Sequence, residues 1–214
     1  YLPADTPVTI HFALDVSFSM KDRGRIPHAL AAINQLAHRL PRVMSKTRLK
    51  GYQYSDTVRR VDLPMKGIAV PSEGTNQAPL IRRVLRNTDP GNHNYLILLT
   101  DGEPSDPAAT LAAMDQARLA KLDYLQILLH TDDDLRNEVM AKDGEFKIKD
   151  RMIAEKEIPQ ERIRKLSDEE VKRRVDSRAT RFIEFAERAG GNQVILTEFS
   201  ALGLVYVELY DRYM

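Results

Sequence analysis

Asp15-Val16-Ser17-Phe18-Ser19 places one carboxylate and two hydroxyls at alternate positions after an apolar run, and Thr100-Asp101-Gly102 closes a second such run with another carboxylate. Thr75 lies between them in the chain, just ahead of a segment with helical spacing. Asp15, Ser17, Ser19, Thr75 and Asp101 all present oxygen. Oxygen donors suit a hard cation: magnesium takes about six such ligands at about 2.1 Å and keeps several of its waters. Manganese and calcium are alternatives that the same donors accept. Zinc or copper would favour thiolate or imidazole, yet the chain has no cysteine, and His11, His28, His38, His93 and His130 show no pairing at ligand spacing on one element. These histidines read as structural or surface residues. Taken singly, Ser and Asp at strand ends are often caps and turn formers, and Thr75 opening a helix would be an ordinary N-cap. Their combination is what points to a cation site.

These oxygens are distant in sequence, so secondary structure must gather them. Val8 to Val16 is nearly all apolar or β-branched, as expected of a strand buried on both faces of a parallel sheet. After a turn through Gly24, Ile26, Leu30, Ile33, Leu36, Ala37 and Leu40 share one face of a predicted helix that Pro41 should stop. Arg48 to Tyr54 and Val58 to Leu63 predict a hairpin joined at Ser55-Asp56, the one antiparallel element. Past a loop at 67–74, Thr75-Asn76 should open a helix carrying Leu80, Ile81, Val84 and Leu85 inward. Tyr95 to Thr100 predicts the strand that delivers Asp101, Asp106-Pro107 starts a helix through Ala120, and Leu122 to Leu129 is another buried strand. The fold class expected is α/β: a Rossmann-like, doubly wound, mostly parallel six-stranded sheet with one antiparallel edge strand and helices on both faces. In such sheets functional groups gather beyond the carboxyl ends of the strands, where both acidic motifs fall.

From Asp132 to Val175 the rhythm breaks into a run dense in both charge signs, read as a helical insertion within a single domain spanning 1–214. Ser167-Asp168-Glu169-Glu170 is a capping box for a helix reaching Arg188, and Gly190-Gly191 ends it. Val194 to Thr197 is a last short strand and Leu202 to Tyr210 a closing helix. Lys plus Arg number 32 against 31 Asp plus Glu, so no excess positive field draws in nucleic acid or an anionic membrane. The absence of cysteine leans towards a cytoplasmic protein. No apolar stretch approaches the roughly 20 residues that cross a bilayer. A start at Tyr1 rather than Met suggests a piece of a longer polypeptide.

Taken together, Asp15-Val16-Ser17-Phe18-Ser19, Thr75 and Thr100-Asp101-Gly102 resemble, in order and spacing, the metal-ion-dependent adhesion site (MIDAS) of von Willebrand factor A (vWA) domains. The resemblance implies that Ser17, Ser19 and Thr75 ligate the metal directly, while Asp15 and Asp101 act largely through bound water. It departs from the pattern at Phe18, where the family often has a small residue, and in the length of 132–175. Phe18 could crowd the metal, but the favoured reading is an apolar contact for a partner beside it, with Glu103 a second contact candidate on the rim. A first shell rich in hydroxyls leaves the cation electrophilic, so an open position should attract a Glu or Asp side chain of a partner protein. The function implied is recognition without catalysis.

Thr100-Asp101-Gly102-Glu103-Pro104-Ser105-Asp106 looks most like bacterial intracellular members of that family, which often work beside MoxR-type AAA+ ATPases. An adaptor or co-chaperone is therefore the expected role, with tellurium-resistance-type or extracellular adhesion domains as alternatives. A magnesium-dependent phosphatase using Asp15 as nucleophile is a further alternative, but it normally needs a second acid two places on, where this chain has Ser17. No Gly-x-Gly-x-x-Gly or Walker lysine motif supports a nucleotide fold.

Overall fold

The computed structural model describes residues 6–22, 25–43, 46–68, 74–101 and 104–129, and the strand at 192–196. The chain divides into two compact units, Tyr1–Leu129 with Phe185–Met214, and His130–Glu184. All described residues but none of 132–175 belong to the first unit. The expected insertion at 132–175, the helices at 167–188 and 202–210, and Glu103 lie outside the described residues.

β1 (Val8–Asp15) is buried along its whole length and pairs in parallel with β2 (Thr47–Tyr54) on one side and β4 (His93–Thr100) on the other. β3 (Val58–Val61) runs antiparallel to β2, and β5 (Leu122–Leu129) and β6 (Asn192–Leu196) extend the sheet in parallel beyond β4. The order β3-β2-β1-β4-β5-β6 gives the six-stranded, doubly wound sheet expected, with β3 as its antiparallel edge. The chain leaves β1 towards β2 but leaves β4 towards β5. Between β1 and β4 the winding therefore reverses, opening a crevice beyond their carboxyl ends.

Strand alternation sorts the core into two layers. Val8, Ile10, Phe12 and Leu14 face α2 (Arg25–Val43), which returns Ile26, Ala29, Ile33, Leu36 and Leu40. On the other face, Ala13, Tyr52, Tyr54, Leu96 and Leu98 pack with α3 (Gln77–Leu85) and α4 (Pro107–Leu119) through Leu80, Ile81, Val84, Ala113 and Met114. Burial of the larger of these side chains contributes roughly 1.5–3 kcal/mol each. A polar residue on one such position would lose that contribution and strand its own polar atoms.

Two local expectations are corrected. α2 continues through Pro41 to Val43. The proline removes one hydrogen bond near the helix end, where buried Leu36 and Leu40 already hold the helix to the sheet. Phe18–Asp22 forms a one-turn helix, α1. The last strand begins at Asn192, two residues before Val194. Among the described residues, no helix is long and apolar enough to cross a membrane.

Candidate metal centre

Asp15 ends β1 with its carboxylate fully buried. One oxygen accepts the Ser17 backbone N–H at 2.8 Å, and the other accepts the Thr100 hydroxyl at 2.7 Å. The first bond turns the chain out of the strand, and the second ties that turn to the end of β4. Burial, then the charge of Asp101, pushes the Asp15 carboxyl up to about 6, while the bonds from Thr100 and Ser17 pull it back down.

Ser17 precedes α1 and Ser19 lies in its first turn, and their hydroxyl oxygens lie 3.1 Å apart in a shared hydrogen bond. The Ser19 hydroxyl donates to Asp101 Oδ1 at 2.9 Å. Hydroxyls from the first motif and the carboxylate of the second thus meet across the β1–β4 crevice. Phe18, between the two serines, is 41% exposed and makes the end of the sheet partly apolar.

Thr75 reaches the same end of the sheet by its backbone. Its N–H donates to Ser105 Oγ at 2.8 Å and its carbonyl accepts the Ser105 N–H at 3.0 Å, while Asn76 N–H donates to the Ser55 carbonyl at 2.9 Å. Ser105 follows Asp101 in the β4–α4 loop and Ser55 follows β2, so Thr75 is pinned between them. Gly74 makes the approach feasible: its φ is +94°, and a Cβ there would lie 2.2 Å from Asp56 Oδ1. Helix α3 is capped by Asn76 without a side-chain bond, so Thr75 is not its N-cap. Asp106 does cap α4, accepting the Ala109 N–H at 2.9 Å.

Arg25 belongs to neither acidic motif of the sequence. It is fully buried at the first turn of α2, and its Nη1 donates to Asp101 Oδ2 in an ion pair. A cation opening a helix runs against the helix dipole, and α2 has no acid in its first turn. That mismatch was the available signal that Arg25 answers to a carboxylate elsewhere.

The donor set fits a hard divalent cation. Adjacent ligands on an octahedron of about 2.1 Å radius lie about 3.0 Å apart, close to the separation of the two serine oxygens. Among the described residues, no group of three or more His, Cys, Asp or Glu could hold a metal. A cation here would therefore rest on hydroxyls backed by Asp15 and Asp101, a set that suits magnesium or manganese better than copper.

An α/β domain with an oxygen-lined crevice at its switch point is thus the class of protein present. Its fold is that of the von Willebrand factor A domain. No family model and no curated protein matches the chain. Among solved structures, an aerotolerance-related membrane protein from Bacteroides fragilis is similar at 16% identity over 95% of this chain and 99% of its own, with a TM-score of 0.59. Proximal thread matrix protein 1 from the mussel byssus is similar at 14% identity over 62% of this chain and 41% of its own, with a TM-score of 0.51. The ArnB paralog VWA2 from Sulfolobus acidocaldarius has 19% identity over 58% of this chain and 35% of its own, with a TM-score of 0.45. The chain spans well under two thirds of the last two proteins, and identities this low speak for the fold alone. The mussel protein has also been solved with zinc occupying its MIDAS motif.

Proposed function

We propose that this chain is a metal-dependent protein-interaction module that grips an acidic side chain of a partner through a divalent cation, magnesium foremost, held by Ser17, Ser19 and Thr75 with Asp15 and Asp101 behind them. The observation that carries this is the hydrogen-bonded run from Ser17 through Ser19 to Asp101 across the switch point. Bound there, the cation would supply an electrophilic position for a carboxylate. The chain's own residues do the rest. Thr100 and the Ser17 amide fix Asp15, the Ser17 hydroxyl just before α1 meets that of Ser19 in its first turn, and exposed Phe18 offers apolar contact beside them.

Recognition is favoured over phosphoryl transfer because Asp15 is fully buried with both oxygens engaged, and because Ser17 stands where a leaving-group acid would be needed. A cytoplasmic adaptor or co-chaperone working with a MoxR-type AAA+ ATPase, or with that ATPase's target, is the role we favour. It is supported by the cysteine-free composition and by the likeness of residues 100–106 to intracellular members.

The test is retention of partner proteins on the immobilised chain in magnesium. Elution by a chelator, and loss of retention in Asp15→Ala with an unchanged circular dichroism spectrum, are expected. Retention that survives both would overturn the proposal, as would magnesium-dependent phosphatase turnover lost in Asp15→Asn.

A further inference from the structure

Arg25 contributes a positive charge to the same carboxylate that backs the candidate cation. Its side chain is fully buried, Asp101 is nearly so, and the pair joins Asp101 Oδ2 while Ser19 holds Oδ1. Neither oxygen of Asp101 lacks a donor. A buried carboxylate beside a second one is unfavourable unless a positive charge answers it.

We propose that Arg25 is a charge-setting residue of the centre. It acts as a resident cation that stabilises the metal-free fold, weakens divalent binding, and raises the net charge of the loaded site. The inference rests on the metal reading above and concerns what this chain's own arginine does to it. With both carboxylates ionised, Asp15, Asp101 and Arg25 together carry one negative charge, so a divalent cation would bring the sum over these three groups and the ion to plus one. Without Arg25 the same sum would be zero. A cation and a guanidinium sharing one carboxylate repel each other at close range, where charges are poorly screened. The position is suited to arginine: the guanidinium stays charged when buried and offers several donors, whereas a buried lysine readily loses its proton.

A merely structural arginine makes a different prediction. If Arg25 only braced the fold, removing it would lower stability and loosen the serine and aspartate geometry, so metal affinity would fall. A charge-setting arginine gives opposite signs, with lower stability without metal and tighter metal binding.

The experiment titrates Mn2+ into the full chain by calorimetry and measures Tm without metal, for wild type and Arg25→Gln. Expected is a lower metal-free Tm together with Mn2+ affinity about tenfold tighter or more. Unchanged or weaker Mn2+ binding by a folded Arg25→Gln overturns the inference and leaves the metal reading standing. No Mn2+ binding by either protein overturns both. Should Arg25→Gln fail to fold, wild type alone decides by nuclear magnetic resonance of the Arg25 guanidinium protons. Their exchange is expected to be slow without metal and to quicken as Mg2+ is added. Proton signals that Mg2+ leaves unmoved, in a chain that binds it, overturn the inference.

Discussion

At the amino end of β1, Asp89 accepts Thr9 at 2.9 Å and the Lys50 ammonium at 2.7 Å, Asn92 donates to Thr9 at 2.9 Å, and the Asn94 side chain bonds the Asp89 backbone at 3.1 Å. At the carboxyl end, Asp15 and Asp101 are both buried, and the Arg25 guanidinium pairs with Asp101. Residue types are similar at the two ends, yet their electrostatics are opposite. The Lys50 bond, helped by Thr9, holds the Asp89 carboxyl below its ordinary range, whereas burial and Asp101 push Asp15 up to about 6. A carboxylate whose charge is answered from within the fold closes a structure. One whose pKa is raised by burial and a neighbouring carboxylate, at a strand switch point, is suited to a cation from outside.

The contrast can be broken or sharpened by three measurements, beginning with acid. His11 is fully buried on β1 between Tyr52 and Asn94, and burial lowers its pKa from 6.5 to about 4. Below pH 6.5 the unfolded chain takes up this proton and the folded chain does not. Stability present above pH 6.5 is therefore lost as pH falls towards 4, by roughly 3 kcal/mol in all. Asp15 has the opposite sign: its folded pKa exceeds the unfolded value, so the metal-free chain regains stability as pH falls from about 6 to 3.8. Chemical denaturation of wild type and His11→Gln across this range separates them, because Asp15 is common to both. Equal pH profiles would mean that the amino end does not carry the proton linkage assigned to it.

Asp89→Asn should cost about 2 kcal/mol by urea denaturation, since it weakens a charge-assisted bond to Lys50. Mn2+ affinity should not change. An altered affinity would show that the two ends are coupled, and the distinction drawn between them would fail.

Phe18→Ser is the smallest of these effects in stability, about 1 kcal/mol, because the residue is already 41% exposed. Partner retention should nonetheless weaken, with metal affinity unchanged. Full retention by Phe18→Ser would remove the apolar contact from the interaction surface.

Much of this was legible in the chain. β1 and β4 declare themselves by nearly unbroken apolar runs, because an interior parallel strand is buried on both faces, and the acid that matters lies at the end of the first and just past the second. The hairpin followed from Ser55-Asp56, and the α4 cap from Asp106-Pro107. What escaped was set by tertiary contacts. The helical turn at Phe18 is too short to show a period, and it forms where the Asp15 carboxylate holds the Ser17 amide. Pro41 reads as a stop until the buried leucines before it are seen to hold the helix. Arg25 looks like one charge among many, because the carboxylate it answers lies 76 positions away.

The reciprocal bonds between Thr75 and Ser105 carry a mechanical consequence. Two loops that arise from different crossovers are clasped, so neither can swing alone. Any body that presses on the segment after β4 would drag the Thr75 hydroxyl with it, which makes that clasp a lever through which contact at the rim could tighten or loosen the grip on an ion.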